Sequence, residues 1–163
     1  FFAKAAKNEG YEQIAAIFME TASQEKEHAK RFFKFLEGRD VEITATYPAG
    51  KIGTTKENLK AAAMGENEEW TALYPEFAEI AKEEGFAEIS AAYKMIAKVE
   101  AEHERRYLAL LKNIEEDKVF TKDEKSAWMC RNCGYVHEGT SAPEKCPACL
   151  HPKAYFELKA NNY

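Results

Sequence analysis

The 163-residue chain has no long hydrophobic run: its uncharged apolar stretches last only a handful of residues, far short of the ~20 that span a bilayer. That excludes a transmembrane reading and leaves no membrane partner to expect. A basic surplus is also missing, and the formal net charge of −5 argues against a nucleic-acid partner. No basic segment followed by an apolar one opens the chain, so a cytoplasmic location is expected. No Met stands at the start, where Phe1 is found, and the natural polypeptide is expected to extend upstream. Cysteine is absent from residues 1–127, and all four cysteines fall in the last 36 residues. So uneven a distribution implies two modules.

What is present fits that division. With 45% hydrophobic and 31% charged residues, the composition is that of an ordinary folded chain. The first module is rich in Ala, Glu, Lys and Leu, with apolar residues at helical spacing, as in Tyr11, Ile14, Ala15 and Phe18, then Phe32, Phe33 and Leu36. Breaks fall at Gly10, at residues 38–54 (Gly38, Pro48, Gly50, Gly53) and at Gly85. Thr54-Thr55 with Glu57 nearby suits a helix start. These signals predict helices over 1–9, 11–37, 55–84 and 86–116. The expected organisation is mainly α: a helical bundle over 1–117, a charged connector over 118–127 and a small four-cysteine module over 128–163.

The helical module repeats itself at an offset of 75 residues. Lys7-Asn8-Glu9-Gly10-Tyr11 matches Lys82-Glu83-Glu84-Gly85-Phe86, and Ile14 matches Ile89. Further along, Glu25 matches Glu100, His28 matches His103, and Arg31 matches Arg106. Solenoid arrays need about three or more copies, so two copies of a helical hairpin imply a four-helix bundle with pseudo-twofold symmetry.

Each copy carries Glu-x-x-His, as Glu25 with His28 and Glu100 with His103. Three helical residues separate the two side chains by about 60° around the axis, so both can reach one metal. A lone Glu-x-x-His on a charged helix is ordinary solvated surface; two copies in register are not. Glu66 and Glu69 add a third pair at the same spacing. Carboxylates and imidazoles converging inside a bundle stay unpaired unless cations neutralise them, and this donor pattern is that of di-iron and di-manganese carboxylate bundles. A dinuclear metal site is the better reading.

The second constellation is Cys130-Arg131-Asn132-Cys133, followed after twelve residues by Cys146-Pro147-Ala148-Cys149. Paired Cys-x-x-Cys knuckles offer four thiolates to one tetrahedral ion, zinc or iron. Disulfides are the lesser reading for two such tight units in a chain of cytosolic character. Spacing alone does not separate a zinc ribbon from an iron site. Trp128, Tyr135, Tyr155 and Phe156 are expected to form the small core around the ion, with His137 and His151 outside a coordination shell that four thiolates complete.

Together these residues resemble the rubrerythrin family over essentially the whole chain. The resemblance rests on Glu-Lys-Glu-His-Ala-Lys-Arg at 25–31, the Glu66 and Glu69 pair, the second Glu-x-x-His, and Cys-Arg-Asn-Cys-Gly-Tyr-Val-His-Glu-Gly at 130–139. It implies a ferritin-like four-helix bundle with a rubredoxin-like domain behind it. The implied activity is that of a non-haem di-iron peroxidase, reducing hydrogen peroxide to water with electrons from NAD(P)H through a reductase or rubredoxin. Iron in the four-cysteine site and a head-to-tail homodimer are also implied, with zinc as a possible substitute in that site.

Carried over residue by residue, the resemblance makes Glu25 and Glu100 bridges between two irons. Glu66 and His103 become terminal ligands of one, while Glu69 and His28 serve the other by turns. Tyr74 is either a hydrogen-bond partner of the site or a core residue. The catalytic set implied is Glu69, His28 and Tyr74, and the metal set is Glu25, His28, Glu66, Glu69, Glu100, His103, Cys130, Cys133, Cys146 and Cys149. Two departures stand out. The family carries a further Glu on its first helix, and the repeat puts the counterpart of Glu66 about nine residues upstream of Phe1. Leu150 stands where free rubredoxins have Gly, altering the knuckle's surface rather than its ligands. Asn132 and His151 lie close enough in sequence to the thiolates to raise an iron's potential by hydrogen bonding. The rival reading is a ferritin-like protein that oxidises and stores iron, with the tail as a structural zinc ribbon.

Overall fold

The computed structural model describes residues 1–38 and 40–162. The order is α1 (Phe2–Asn8), α2 (Glu12–Phe33) with a 3-10 turn at Lys34–Leu36, α3 (Thr55–Glu68), a π-helical turn (Glu69–Leu73), α4 (Tyr74–Glu83) and α5 (Ala87–Glu115). Three strands follow: β1 (Thr121–Cys130), β2 (Val136–Ser141) and β3 (Phe156–Leu158), antiparallel in the order β2-β1-β3. This is the mainly helical, ferritin-like bundle with a rubredoxin-like four-cysteine region that the sequence implied. No helix among the described residues is long and apolar enough to cross a membrane.

The internal repeat is written into the backbone. Gly10 and Gly85 adopt φ of +84° and +86°, the left-handed conformation that closes a helix. Tyr11 N–H donates to Ala6 O at 2.9 Å and Gly10 N–H to Lys7 O at 3.1 Å. In the second copy Phe86 N–H donates to Ala81 O at 2.7 Å and Gly85 N–H to Lys82 O at 3.1 Å. Two similar sequences thus make the same six-residue cap. At the start of α3, Thr54 Oγ1 accepts from the Glu57 amide at 3.3 Å while the Glu57 carboxylate accepts from the Thr54 amide at 2.8 Å. That reciprocal cap, worth about 1 kcal/mol, is the one read from Thr54 and Glu57. The carboxylate of Glu9 adds to it by accepting from Thr55 N–H at 3.0 Å, a negative charge at the positive end of the helix.

Three elements differ from expectation. The helix predicted over 55–84 is interrupted by the π turn, in which Tyr74 N–H reaches back to Glu69 O. Pro75 is the cause: it has no amide hydrogen and its ring collides with the carbonyl four residues earlier, so one widened turn absorbs the misfit. Similarly, α2 proper ends at Phe33 and only a 3-10 turn continues to Leu36. Residues 121–127, inside the span read as a charged connector, form the first part of β1.

The chain divides into two compact units, Phe1–Met19 with Ile52–Asn58 and Ala109–Tyr163, and Glu20–Lys51 with Leu59–Leu108. In the first, Phe2 packs edge-on against Phe18 with centroids 5.6 Å apart, and Tyr11 stacks on Phe120 at 6.1 Å. Gly10 lies so close to the tail that a Cβ there would sit 3.6 Å from that of Ala154. The tail has its own core of buried Trp128, Cys130, Ala142, Cys146 and Phe156, flanked by Phe120, Tyr135, Cys149 and Tyr155. In the second unit, Leu59, Ala63, Ala78, Ala81, Ile96 and Tyr107 are buried, and so are Glu66, Glu100 and His103. Ionisable groups in a core are costly unless paired or bound to metal, which directs attention to them.

Candidate metal centres

In the second unit α2 supplies Glu25, α3 supplies Glu66, and α5 supplies Glu100 and His103; one ligand atom from each lies within 4.8 Å of the others. His103 Nδ1 is 2.9 Å from Glu100 Oε2, 3.0 Å from Glu25 Oε1 and 3.6 Å from Glu66 Oε1. His28 Nδ1 is 3.0 Å from Glu25 Oε2 and 3.1 Å from Glu100 Oε1. Glu25 and Glu100 therefore each turn one oxygen toward each imidazole. The two rings are stacked with centroids 6.0 Å apart.

These atoms are close without being satisfied. Glu25 Oε1, both oxygens of Glu100 and His103 Nδ1 are buried and make no hydrogen bond. Burial alone would lower the pKa of His103, but the carboxylates of Glu100, Glu25 and Glu66 outweigh it and push the imidazole up to about 11. Glu66 is raised by burial against the opposing pull of His103, with the charges of Glu25 and Glu100 adding to the rise. Glu25 goes the other way, because the close imidazoles of His103 and His28 overcome its burial. Three carboxylates around one imidazole leave net negative charge in a low-dielectric site, and a divalent cation is what neutralises it. A set of carboxylate oxygens and imidazole nitrogens suits iron, manganese or zinc.

His28 and Glu69 lie outside the tight four-atom group. His28 remains in contact through Glu25 and Glu100, whereas Glu69 opens the π turn. Burial, then the charges of Glu66, Glu100 and Glu25, push the Glu69 carboxyl up to about 7. Tyr74 closes that turn in an aromatic cluster, 6.1 Å from Phe32 and 5.6 Å from Tyr93. Its phenol is raised by burial and by the negative charge of Glu69.

Two supports went unread in the sequence. His103 Nε2 meets Gln24 Oε1 at 3.0 Å. Glu104 accepts from Asn67 Nδ2 at 3.0 Å and from Trp70 Nε1 at 2.6 Å, tying α5 to the residues beside Glu66 and Glu69. A signal was available: at the 75-residue offset Gln24 faces Val99 and Glu104 faces Ala29, positions where the copies disagree in polarity.

The other centre lies in the first unit. Cys130 Sγ and Cys149 Sγ are 3.7 Å apart, Cys133 Sγ and Cys146 Sγ 3.6 Å. A disulfide needs about 2.05 Å; the edge of a tetrahedron with metal–sulfur bonds of about 2.3 Å is roughly 3.8 Å. The four thiols fit a tetrahedral ion and no disulfide. Both knuckles turn alike: Gly134 N–H donates to Cys130 O at 2.8 Å and Leu150 N–H to Cys146 O at 2.9 Å. Gly134 and Leu150 have φ of +78° and +64°, and the Leu150 side chain is 64% exposed. The His151 amide favours the Cys149 thiolate and, against burial and with help from the Asn132 side chain, brings it down to about 6. Neither His137 nor His151 joins the four-thiol group.

A helical bundle holding a glutamate–histidine di-iron site, followed by a four-thiolate rubredoxin-like site, defines a ferritin-like di-iron carboxylate protein with its own one-iron module. The family model described as Rubrerythrin matches residues 1–111, and that described as Rubrerythrin, rubredoxin-like domain, matches residues 128–157. The chain belongs to the rubrerythrin family. It is 68% identical to Rubrerythrin of Porphyromonas gingivalis over 163 residues, all of this chain and 82% of that one. It is 56% identical to Rubrerythrin of Nitratidesulfovibrio vulgaris over 163 residues, all of this chain and 85% of that one. Among solved structures, partially reduced nigerythrin superposes with a TM-score of 0.63 at 34% identity, covering 97% of this chain and 76% of that one.

Proposed function

We propose that the chain is a peroxidase of oxidative-stress protection, taking up two electrons and two protons for each hydrogen peroxide and releasing two waters. The observation that carries this reading is the arrangement of Glu25 and Glu100, each with one oxygen toward each imidazole, which suits two carboxylates shared by a pair of ions. Glu25, Glu66, Glu100 and His103 would hold the bundle metal and the four cysteines the other, and iron in those sites would supply the electrons for splitting the O–O bond. Glu66 and His103 complete one subsite, and Glu69 and His28 serve the other by turns. In support of the exchange, His28 stands against the shared carboxylates while Glu69 begins a widened turn. When His28 takes its place, the half-buried Glu69 carboxyl would be free to hold a proton for the departing oxygen. Tyr74, its phenol raised, stays a neutral O–H donor beside it.

Electrons come from an NAD(P)H-linked donor, through a reductase or a rubredoxin, at the knuckles, where Cys133 and Leu150 are exposed. We infer a cytoplasmic homodimer, supported by large apolar side chains left bare on α2, Met19 at 62% and Phe33 at 71% exposure. The bundle over 1–117 and the module over 128–163 are read as separate domains. The test is anaerobic reduction followed by one equivalent of peroxide, watching the red ferric-thiolate absorption. Its return within the mixing time supports electron flow through both centres. A reduced tail that stays unoxidised while peroxide remains overturns it, and a colourless zinc-loaded tail with many irons per chain selects the iron-storage reading instead.

A further inference from the structure

The two copies of Glu-x-x-His-x-x-Arg differ in what stands behind their imidazoles. Gln24 Oε1 lies 3.0 Å from His103 Nε2 and 3.3 Å from Arg106 Nη2. Arginine only donates, so the atom facing it is the amide oxygen, and that oxygen in turn requires a hydrogen on His103 Nε2. With Nε2 committed to Gln24, Nδ1 is the nitrogen turned toward the carboxylates and the one left to an ion. Gln24 is itself held. Its amide nitrogen donates to Glu20 Oε1 at 3.4 Å, and Arg106 donates to Glu20 Oε1 at 2.6 Å and to Thr21 Oγ1 at 2.7 Å.

None of this recurs in the other copy. At the 75-residue offset, Met95, Ile96 and Val99 stand for Glu20, Thr21 and Gln24. Arg31, the counterpart of Arg106, points elsewhere, donating to Glu88 at 2.7 Å and lying 4.6 Å from the centroid of the Phe35 ring. His28 uses Nδ1 toward Glu25 and Glu100, and among the described residues no side chain bonds its other nitrogen. Its side chain is 14% exposed against 4% for His103.

We propose that Gln24, clamped by Arg106 and Glu20, is a positioning residue that fixes His103 as the permanent ligand of one ion, and that its replacement by Val99 in the other copy leaves the His28 ring free to depart. The proposal rests on the two-ion reading above and extends it to the residues that decide which imidazole stays. Outer groups of this kind orient the ring and raise its basicity, and their loss costs about 10- to 100-fold in metal affinity.

The test uses the full chain with its four-cysteine site filled and the bundle titrated with cobalt(II), in the unsubstituted form, in Gln24→Val and in Gln24→Glu. Gln24→Val installs the residue of the other copy. It is expected to weaken one bundle cobalt by about 10- to 100-fold and to leave the other within a few-fold. Gln24→Glu keeps an acceptor oxygen and is expected to bind as tightly as the parent or more so. With ring-labelled histidine, a slowly exchanging imidazole N–H signal should be present in the parent and in Gln24→Glu and absent in Gln24→Val. Parent-like cobalt affinity or a surviving N–H signal in Gln24→Val overturns the proposal, as does an equal loss in both variants. A parent chain that reduces no peroxide yet shows the expected pattern overturns the peroxidase reading and leaves the brace standing.

Discussion

The two copies of the helical hairpin share one pattern of caps and ligands and reach different surroundings. Their backbones agree down to the hydrogen bonds that close the helices at Gly10 and Gly85, and both bring a Glu and a His to one cluster. Behind the second copy's His103 stand Gln24, Arg106, Thr21 and Glu20; behind His28 there is no such network among the described residues. Glu100 is wholly buried, whereas the Glu25 side chain is 36% exposed. Backbone symmetry and side-chain symmetry are thus separable. Caps and apolar spacing repeat because both hairpins must fold, while the outer polar groups are free to differ, and their difference can make one subsite rigid and the other yielding.

The largest effect should come from the residue both subsites share. Glu100→Ala removes a fully buried carboxylate that faces both imidazoles. It is expected to empty the bundle of both ions and to slow peroxide reduction beyond the roughly 100-fold typical of losing an outer group, read by metal analysis and steady-state rates. Retention of one ion at full strength would mean the copies are less tightly joined than their geometry implies.

Glu69→Ala should separate the copies. The Glu66 and His103 subsite is expected to keep its metal, while turnover falls about 100-fold, the lower end of the range for a lost proton-transfer group. Equal loss of both ions would contradict the division of labour.

Acidity supplies a third probe. In the metal-free chain His103 is raised from its ordinary value to about 11 and Glu69 to about 7. A raised imidazole stabilises the fold below its unfolded pKa of about 6.5 and loses that contribution as pH rises through the folded value; a raised carboxyl stabilises below its unfolded pKa of about 4.3 and loses it through 7. The metal-free chain should therefore lose stability from about pH 4.3, where Glu69 begins to ionise in the unfolded chain, up to about pH 11, where folded His103 gives up its proton, by something of order 1 kcal/mol or more after solvent screening. Metal replaces the proton on His103, so loading at pH 7 should release protons and flatten the profile. Calorimetric unfolding of both forms across that range checks the sign, and a metal-free profile that rises with pH would refute it.

The smallest effect concerns a second pair of near-copies, the two cysteine knuckles. Both turns need a left-handed residue, supplied by Gly134 in one and by Leu150 in the other, and the latter conformation costs a side-chain-bearing residue roughly 1–2 kcal/mol. Leu150 is exposed, so Leu150→Gly gives up little packing. The variant is expected to resist metal extraction by a chelator longer than the parent, by about 1 kcal/mol in tail stability. No change would mean that the strain is relieved elsewhere in the turn.

Much of this molecule is written in local sequence. The Gly10 and Gly85 caps, the Thr54–Glu57 helix start and the Cys-x-x-Cys knuckles each depend on a few neighbouring residues whose backbone preferences or donor atoms act at short range. The 75-residue repeat carried that legibility one level up, because a twice-repeated Glu-x-x-His inside paired hairpins has few destinations other than a shared cluster. The π turn was hidden although its cause, Pro75, lay in plain view, since proline in a helical pattern predicts a disturbance without saying whether the chain will stop, kink or widen. What tertiary structure alone decided is the company each ligand keeps. Gln24 and His103 are 79 residues apart, and Glu104 and Trp70 are 34 apart. Only the register between packed helices turns such distant pairs into hydrogen bonds. A side chain's chemistry is set by its own atoms, but whether an imidazole is held or left free is set by neighbours that the fold alone delivers.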